Sequence, residues 1–169
     1  MQFAFLVFCL IAKGIPINPQ SSAIDCHSCS SLKPAKTPFI LVLNQGDSLI
    51  ESILQCANST ELKSASISGV GALKDPMIAY YNLETKQYET QKFEGIYELA
   101  ALDGNITFVE GKRTAHIHVV LGDRKHQAFA GHLIEGTVGI TAEITIIPLE
   151  YPIHRKMNPR LGINLIDPQ

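Results

Sequence analysis

The chain contains no tryptophan, few aromatic residues (7%) and few charged ones (18%), and basic groups do not outnumber acidic ones: 14 Lys and Arg stand against 16 Asp and Glu, a formal charge of −2. That balance excludes a chain-wide basic field able to attract polyphosphate or an anionic membrane, which disfavours nucleic acid as a partner. Apolar runs are short as well. Phe3 to Ala12 stops at ten residues, where a bilayer span needs about 20. Internal repeats and low-complexity tracts are missing. What remains is a composition with 46% hydrophobic residues over 169 positions, enough for one domain with a real core and too little for two ordinary ones.

The Phe3–Ala12 run, followed by Lys13-Gly14 and by the small residues Ser21-Ser22-Ala23, fits a secretory signal peptide cleaved after Ala23, although Met1-Gln2 lacks the usual positive charge. Residues 1–23 are therefore read as a leader. Cleavage would place the protein in the periplasm or outside the cell, with no membrane-inserting segment left; an intact chain would stay cytoplasmic. Residues 24–37, rich in Ser, Lys and Pro, read as a linker or flexible arm, and residues 38–169 as the domain. Cysteine is scarce, with four in all. Cys9 belongs to the leader. Cys26-His27-Ser28-Cys29 has neither the second CxxC of a zinc ribbon nor the strand and helix of a thioredoxin motif. A local disulfide or two solvated thiols is expected there, and Cys56 is expected to be plain core.

Phe39 to Leu43 is a short apolar strand ended by Asn44-Gln45-Gly46. Asp47 or Ser48 can then cap a helix with Leu49, Ile50, Ile53, Leu54 and Ala57 on one face, ending near Asn58-Ser59-Thr60. Residues 65–73 are small, β-branched and Gly-interrupted, the pattern of a strand packed closely on a neighbour. Turn signals at Asp75-Pro76, Asn82, Gly95, Asp103-Gly104-Asn105, Glu110-Gly111-Lys112, Gly122-Asp123 and Gly136 separate further strands at 78–83, 97–102, 106–109, 115–121, 128–133 and 138–147. A single long helix among many strands joined by tight turns predicts an α+β fold, an antiparallel or mixed sheet with one main helix packed on it. The tail after Tyr151 carries apolar residues spaced to pack back on the domain.

Within the strand Ala115-His116-Ile117-His118-Val119, alternate side chains share a face, which places His116 and His118 side by side with Cα atoms about 6.5–7 Å apart. His132 lies on the next strand. A hairpin centred on Arg124 sets it opposite His116, and one centred on Lys125 sets it opposite His118; a shift by one residue turns it to the other face. Three neutral imidazoles on a rigid sheet suit a divalent metal, zinc before iron, nickel, cobalt or copper, and leave a fourth position open. Glu98 and Glu143 sit between apolar neighbours, where an unpaired carboxylate is costly, and are candidates for a fourth ligand, a hydrogen-bond partner of a ligand or a catalytic base, although a rim or subunit-contact carboxylate is the better reading of each. His27, His126 and His154 read as solvated, as do the basic clusters Lys112-Arg113, Arg124-Lys125-His126 and His154-Arg155-Lys156.

Gly69-Val70-Gly71-Ala72-Leu73, Phe93-Glu94-Gly95-Ile96-Tyr97-Glu98-Leu99-Ala100-Ala101-Leu102-Asp103-Gly104-Asn105, His116 to Leu121, Gly131-His132-Leu133 and Gly136-Thr137-Val138 resemble, in order, the PPC (plant and prokaryote conserved) domain. The resemblance runs from about Pro38 to Leu165 and departs at Ala130, where the family usually has glycine. It implies a sheet carrying a helix, assembly as a homotrimer, and metal binding through His116, His118 and His132, as in some stand-alone prokaryotic members. Plant members accompany an AT-hook and bind DNA; no Arg-Gly-Arg-Pro hook is present here. The preferred expectation is a metal-binding trimer without an assigned reaction or small-molecule ligand. The alternatives are a metal-dependent hydrolase or lyase using Glu98 or Glu143, and DNA binding of the plant type.

Overall fold

The computed structural model describes residues 23–168 and builds them on one nine-stranded sheet. In chain order the elements are β1 (Ala23–Asp25), a 3₁₀ segment (Cys26–Leu32), β2 (Phe39–Asn44), α1 (Leu49–Ser59), β3 (Ser64–Asn82), β4 (Gln87–Lys92), β5 (Ile96–Val109), β6 (Lys112–Gly122), β7 (Ala128–Leu149), β8 (His154–Asn158) and β9 (Ile163–Ile166). The α+β expectation holds in its broad form, a mixed sheet with one α-helix. The leader, apart from Ala23, lies outside the described residues, and among those described no helix is long and apolar enough to cross a membrane.

Strands β3, β5, β6 and β7 pair in a closed circuit: β3 with β5, β5 with β6, β6 with β7, and β7 back with β3. Helix α1 buries Leu49, Ile53, Cys56 and Ala57 against this circuit and β2. Ile50 and Leu54 are only half-buried, so the buried stripe is rotated from the expected one toward Cys56. Ser48 occupies the N-cap position without a side-chain cap bond, while the Asp47 carboxylate accepts from the Asn44 backbone N–H at 2.8 Å. From the sheet, Leu102, Ile106, Ile117, Val119, Leu121, Ile144 and Ile146 complete the core.

Several turn signals turn out to lie inside long strands. β3 runs straight through Asp75-Pro76, β5 through Asp103-Gly104-Asn105 and β7 through Gly136. Register shifts against β7 at Gly71/Leu73 and on either side of Met77 accommodate the first and last, whereas Asp103-Gly104-Asn105 pairs in regular register with both β3 and β6. Glycine serves close strand approach at two of these places. A Cβ on Gly71 would stand 2.7 Å from the Ala142 Cα, and one on Gly104 3.0 Å from the Ile117 Cα. Residues that read as breakers in isolation are thus the points where neighbouring strands come nearest.

The reading of residues 24–37 as a flexible arm is corrected. β1 pairs in parallel with β2 through Ala23–Asp25, and the 3₁₀ segment is capped by the Asp25 carboxylate, which accepts from the Ser28 N–H at 2.8 Å. The turn brings Cys29 into the core, where it is disulfide-bonded to Cys56 across 27 residues with Cα atoms 5.3 Å apart. Cys29 therefore does not pair with Cys26, and Cys56 is not a free core thiol. The tail does pack back as expected: β8 pairs with β5 and forms a hairpin with β9.

Candidate metal centre

The loop between β6 and β7 decides where His132 points. Asp123 closes it, its backbone N–H donating to the Gln127 carbonyl at 3.0 Å and its carboxylate accepting from the N–H groups of Lys125 and Gln127, each at 2.8 Å. The hairpin is thereby centred on Lys125, and His132 stands directly opposite His118. On its other side His132 pairs with Ala79 of β3. Alternation along β6 buries Ile117, Val119 and Leu121 in the core and turns His116 and His118 to the outer face. Three ring nitrogens, one from each of His116, His118 and His132, consequently lie within 4.8 Å of one another.

The ring centroids are 5.1–5.4 Å apart. Tetrahedral coordination at zinc–nitrogen distances near 2.0–2.1 Å needs nitrogens about 3.4 Å apart, so small side-chain rotations would draw the rings together around an ion. His132 Nδ1 is buried without a hydrogen-bond partner, a condition that costs about 1–3 kcal/mol unless something engages the nitrogen. The donor set thus fits a borderline-soft divalent cation.

Burial pushes His116 down to about 4 from the usual 6.5, aided by the Arg155 charge and then by His132 and His118. His132 is lowered too, by burial first and then by His118 and Arg155. Both rings are neutral at physiological pH, as ligation requires. In the metal-free protein, the folded state then binds fewer protons than the unfolded state between pH 6.5 and about 4, and stability falls as pH drops through that window. Urea midpoints across it are expected to decline with acidification more steeply for the wild type than for His116→Gln; equal slopes would remove His116 as the cause.

Arg155 holds the far side of His116. Its Nη2 donates to His116 Nδ1 at 3.2 Å and to Asn105 Oδ1 at 3.0 Å, its Nε to Thr107 Oγ1 at 2.9 Å and its Nη1 to the Asn164 carbonyl at 3.3 Å. Because a guanidinium only donates, His116 Nδ1 accepts and the neutral ring carries its proton on Nε2. Burial lowers Arg155, with Tyr88 acting the other way. The Tyr88 ring stacks on His132 at 5.2 Å and meets Tyr81 edge-on at 4.9 Å. Tyr81, Tyr88 and the three histidines border a cleft of about 600 Å³, also lined by Ile78, Glu89 and Ile163, with Arg155 behind His116 and outside the lining.

Arg155, Tyr88 and Glu89 were not singled out by the sequence. Arg155, read among the solvated basic residues, is half-buried instead, and its neighbour Lys156 pairs with Asp167 at 2.5 Å. β4 carries no hydrophobic alternation, because all six of its residues are exposed on a strand paired only with β3. Glu98 and Glu143, candidates for a fourth ligand or base, are both exposed, and neither joins the histidine cluster or lines the cleft. Their flanks Leu99, Ala142 and Ile144 are buried because they point to the opposite face. His126 and His154 are exposed as expected, His154 lying in β8 against the Phe108 ring; the His27 side chain is outside what the structure describes.

Similar solved structures carry the same fold. A plant- and prokaryote-conserved protein from Pyrococcus horikoshii is 32% identical, with TM-score 0.73 over 78% of this chain and 92% of that one. A protein from Ralstonia eutropha described as a candidate DNA-binding protein is 28% identical, with TM-score 0.74 over 81% and 94%. A metal-containing protein from Archaeoglobus fulgidus is 26% identical, with TM-score 0.73 over 78% and 94%. No curated protein matches the chain. The model of the Plants and Prokaryotes Conserved (PCC) domain matches residues 31–150, and with the fold and the ordered motifs this establishes that the chain belongs to that domain family.

Proposed function

We propose that the protein binds a divalent metal ion, zinc first among the candidates, through His116, His118 and His132, and works as a homotrimer in an oxidising compartment. The observation that carries the reading is the convergence of three imidazole nitrogens within 4.8 Å, together with the unpartnered, buried His132 Nδ1. An ion held by three imidazoles leaves a position at which water is acidified toward neutrality or an anion binds. Ligation at His116 Nε2 requires the ring proton to move to Nδ1, so the hydrogen bond from Arg155 has to give way. The structure of the metal-containing Archaeoglobus fulgidus protein supports the reading by likeness. The trimer follows the family resemblance and gains support from the exposed Val70, Ile140 and Ile147, apolar surface that an assembly would cover. Export is supported by the Cys29–Cys56 disulfide, a bond that persists in oxidising compartments.

The hydrolase or lyase reading ranks second, because neither Glu98 nor Glu143 reaches the cleft to act as base. DNA binding ranks below it: the formal charge is −2, and Arg113 and Arg155 donate to partners within the chain. Elemental analysis of protein purified without a histidine tag is expected to find one metal ion per chain, and light scattering a mass three times that of the chain. Protein that remains metal-free after incubation with zinc and dialysis would end the metal reading.

A further inference from the structure

The charge around the three histidines does not balance. Neutral imidazoles contribute nothing negative to an ion they hold, so a bound divalent cation keeps its full charge, unlike one in a thiolate or carboxylate site. Arg155 adds a second cation directly behind His116, and its four acceptors, His116, Asn105, Thr107 and the Asn164 carbonyl, are all uncharged. Among the described residues no carboxylate forms an ion pair with it. Two acids face this side. Asp103 stands opposite His118 in the β5–β6 register but is exposed and outside the donor cluster. Glu89 lines the cleft, and its Oε1 is occupied by the Asn82 side-chain amide at 2.6 Å.

The cleft in front of these cations is walled largely by Tyr81, Tyr88, Ile78 and Ile163 and has a volume of about 600 Å³, room for an organic molecule of modest size. We propose that it binds a small organic monocarboxylate, the carboxylate at the open metal position within the field of Arg155 and the apolar body against Tyr88, Tyr81, Ile78 and Ile163. This rests on the metal reading above. With metal on His116, Arg155 still donates to Asn105, Thr107 and the Asn164 carbonyl and stands outside the cleft lining, so it acts here as a charge rather than as a bidentate fork. That arrangement favours a singly charged ligand with an apolar body over phosphate, which needs several free donors.

The test uses the full described protein loaded with Co²⁺, whose visible spectrum reports its coordination, titrated with benzoate, with benzamide as the uncharged counterpart and with inorganic phosphate. Benzoate is expected to shift the spectrum saturably, and neither control to do so at the same concentrations. Arg155→Met, which keeps the apolar stem, should weaken benzoate roughly tenfold, while Arg155→Lys stays within a few-fold of wild type. Both should keep the metal, since neither replaces a ligand, and Arg155→Met also frees His116 Nδ1 for the ring proton. Glu89→Gln, which removes a negative charge from the wall, should tighten benzoate and decides the matter if Arg155→Met fails to load. Cobalt-loaded protein blind to benzoate, or a response equal to that for benzamide, overturns the carboxylate site and leaves the metal reading standing; absence of cobalt uptake strikes the metal reading itself.

Discussion

Reducing the Cys29–Cys56 bond, or replacing both cysteines by alanine, is expected to lower the stability of the domain by roughly 3–4 kcal/mol, the magnitude for a cross-link closing a loop of this size. The bond spans 27 residues and joins the 3₁₀ segment to the buried face of α1. Without it the segment keeps the β1–β2 pairing, the Asp25 cap, contacts of Leu32 and Ala35 with the core, the Ala35 N–H bond to the Thr60 carbonyl and the exposed Lys33–Glu61 pair. Denaturant midpoints should fall on treatment with a phosphine reductant, chosen because it competes weakly for zinc, and the double alanine variant should show no further response to it. The histidine cluster lies on β6 and β7, away from the bond, so metal stoichiometry is expected to survive reduction. An unchanged midpoint after verified reduction would mean that the segment is docked by packing alone.

His118→Ala is expected to abolish stoichiometric metal binding while leaving the fold intact. Two imidazoles cannot hold the ion as three do, and the affinity loss should exceed the roughly 10–100-fold typical of changes one shell further out. The ring of His118 is exposed, and the core-facing residues of the same strand, Ile117, Val119 and Leu121, are untouched by its removal. Thermal midpoints of metal-free wild type and variant should therefore nearly coincide, whereas added zinc raises only that of the wild type, in proportion to the logarithm of its concentration over the dissociation constant. A variant that keeps a full equivalent of metal would show that His118 is not a ligand.

Much of the site was legible in the order of residues because the β period is short-ranged. His116 and His118 share a face in any strand, whatever the rest of the chain does. The same period accounts for Glu98 and Glu143: in a sheet with one buried face, apolar neighbours on either side of a carboxylate mark the opposite orientation, and both side chains are exposed. Arg155 and Tyr88 were invisible to it. They enter the site from β8 and β4, strands whose exposed, polar residues carry no hydrophobic pattern, and Arg155 meets His116 across 39 positions of sequence.

Local periodicity and motifs in order were enough for the α+β class, the main helix, the pairing of two histidines on one strand face and the family to which the chain belongs. The folded chain was needed to see that Asp123 centres the hairpin on Lys125 and so brings His132 to the other two, that Cys29 reaches Cys56, and that an arginine from the C-terminal hairpin backs the cluster. Cross-linking and charge contact depend on how distant segments meet in space and register on how the loop closes, and a pattern that repeats every two residues holds no record of either.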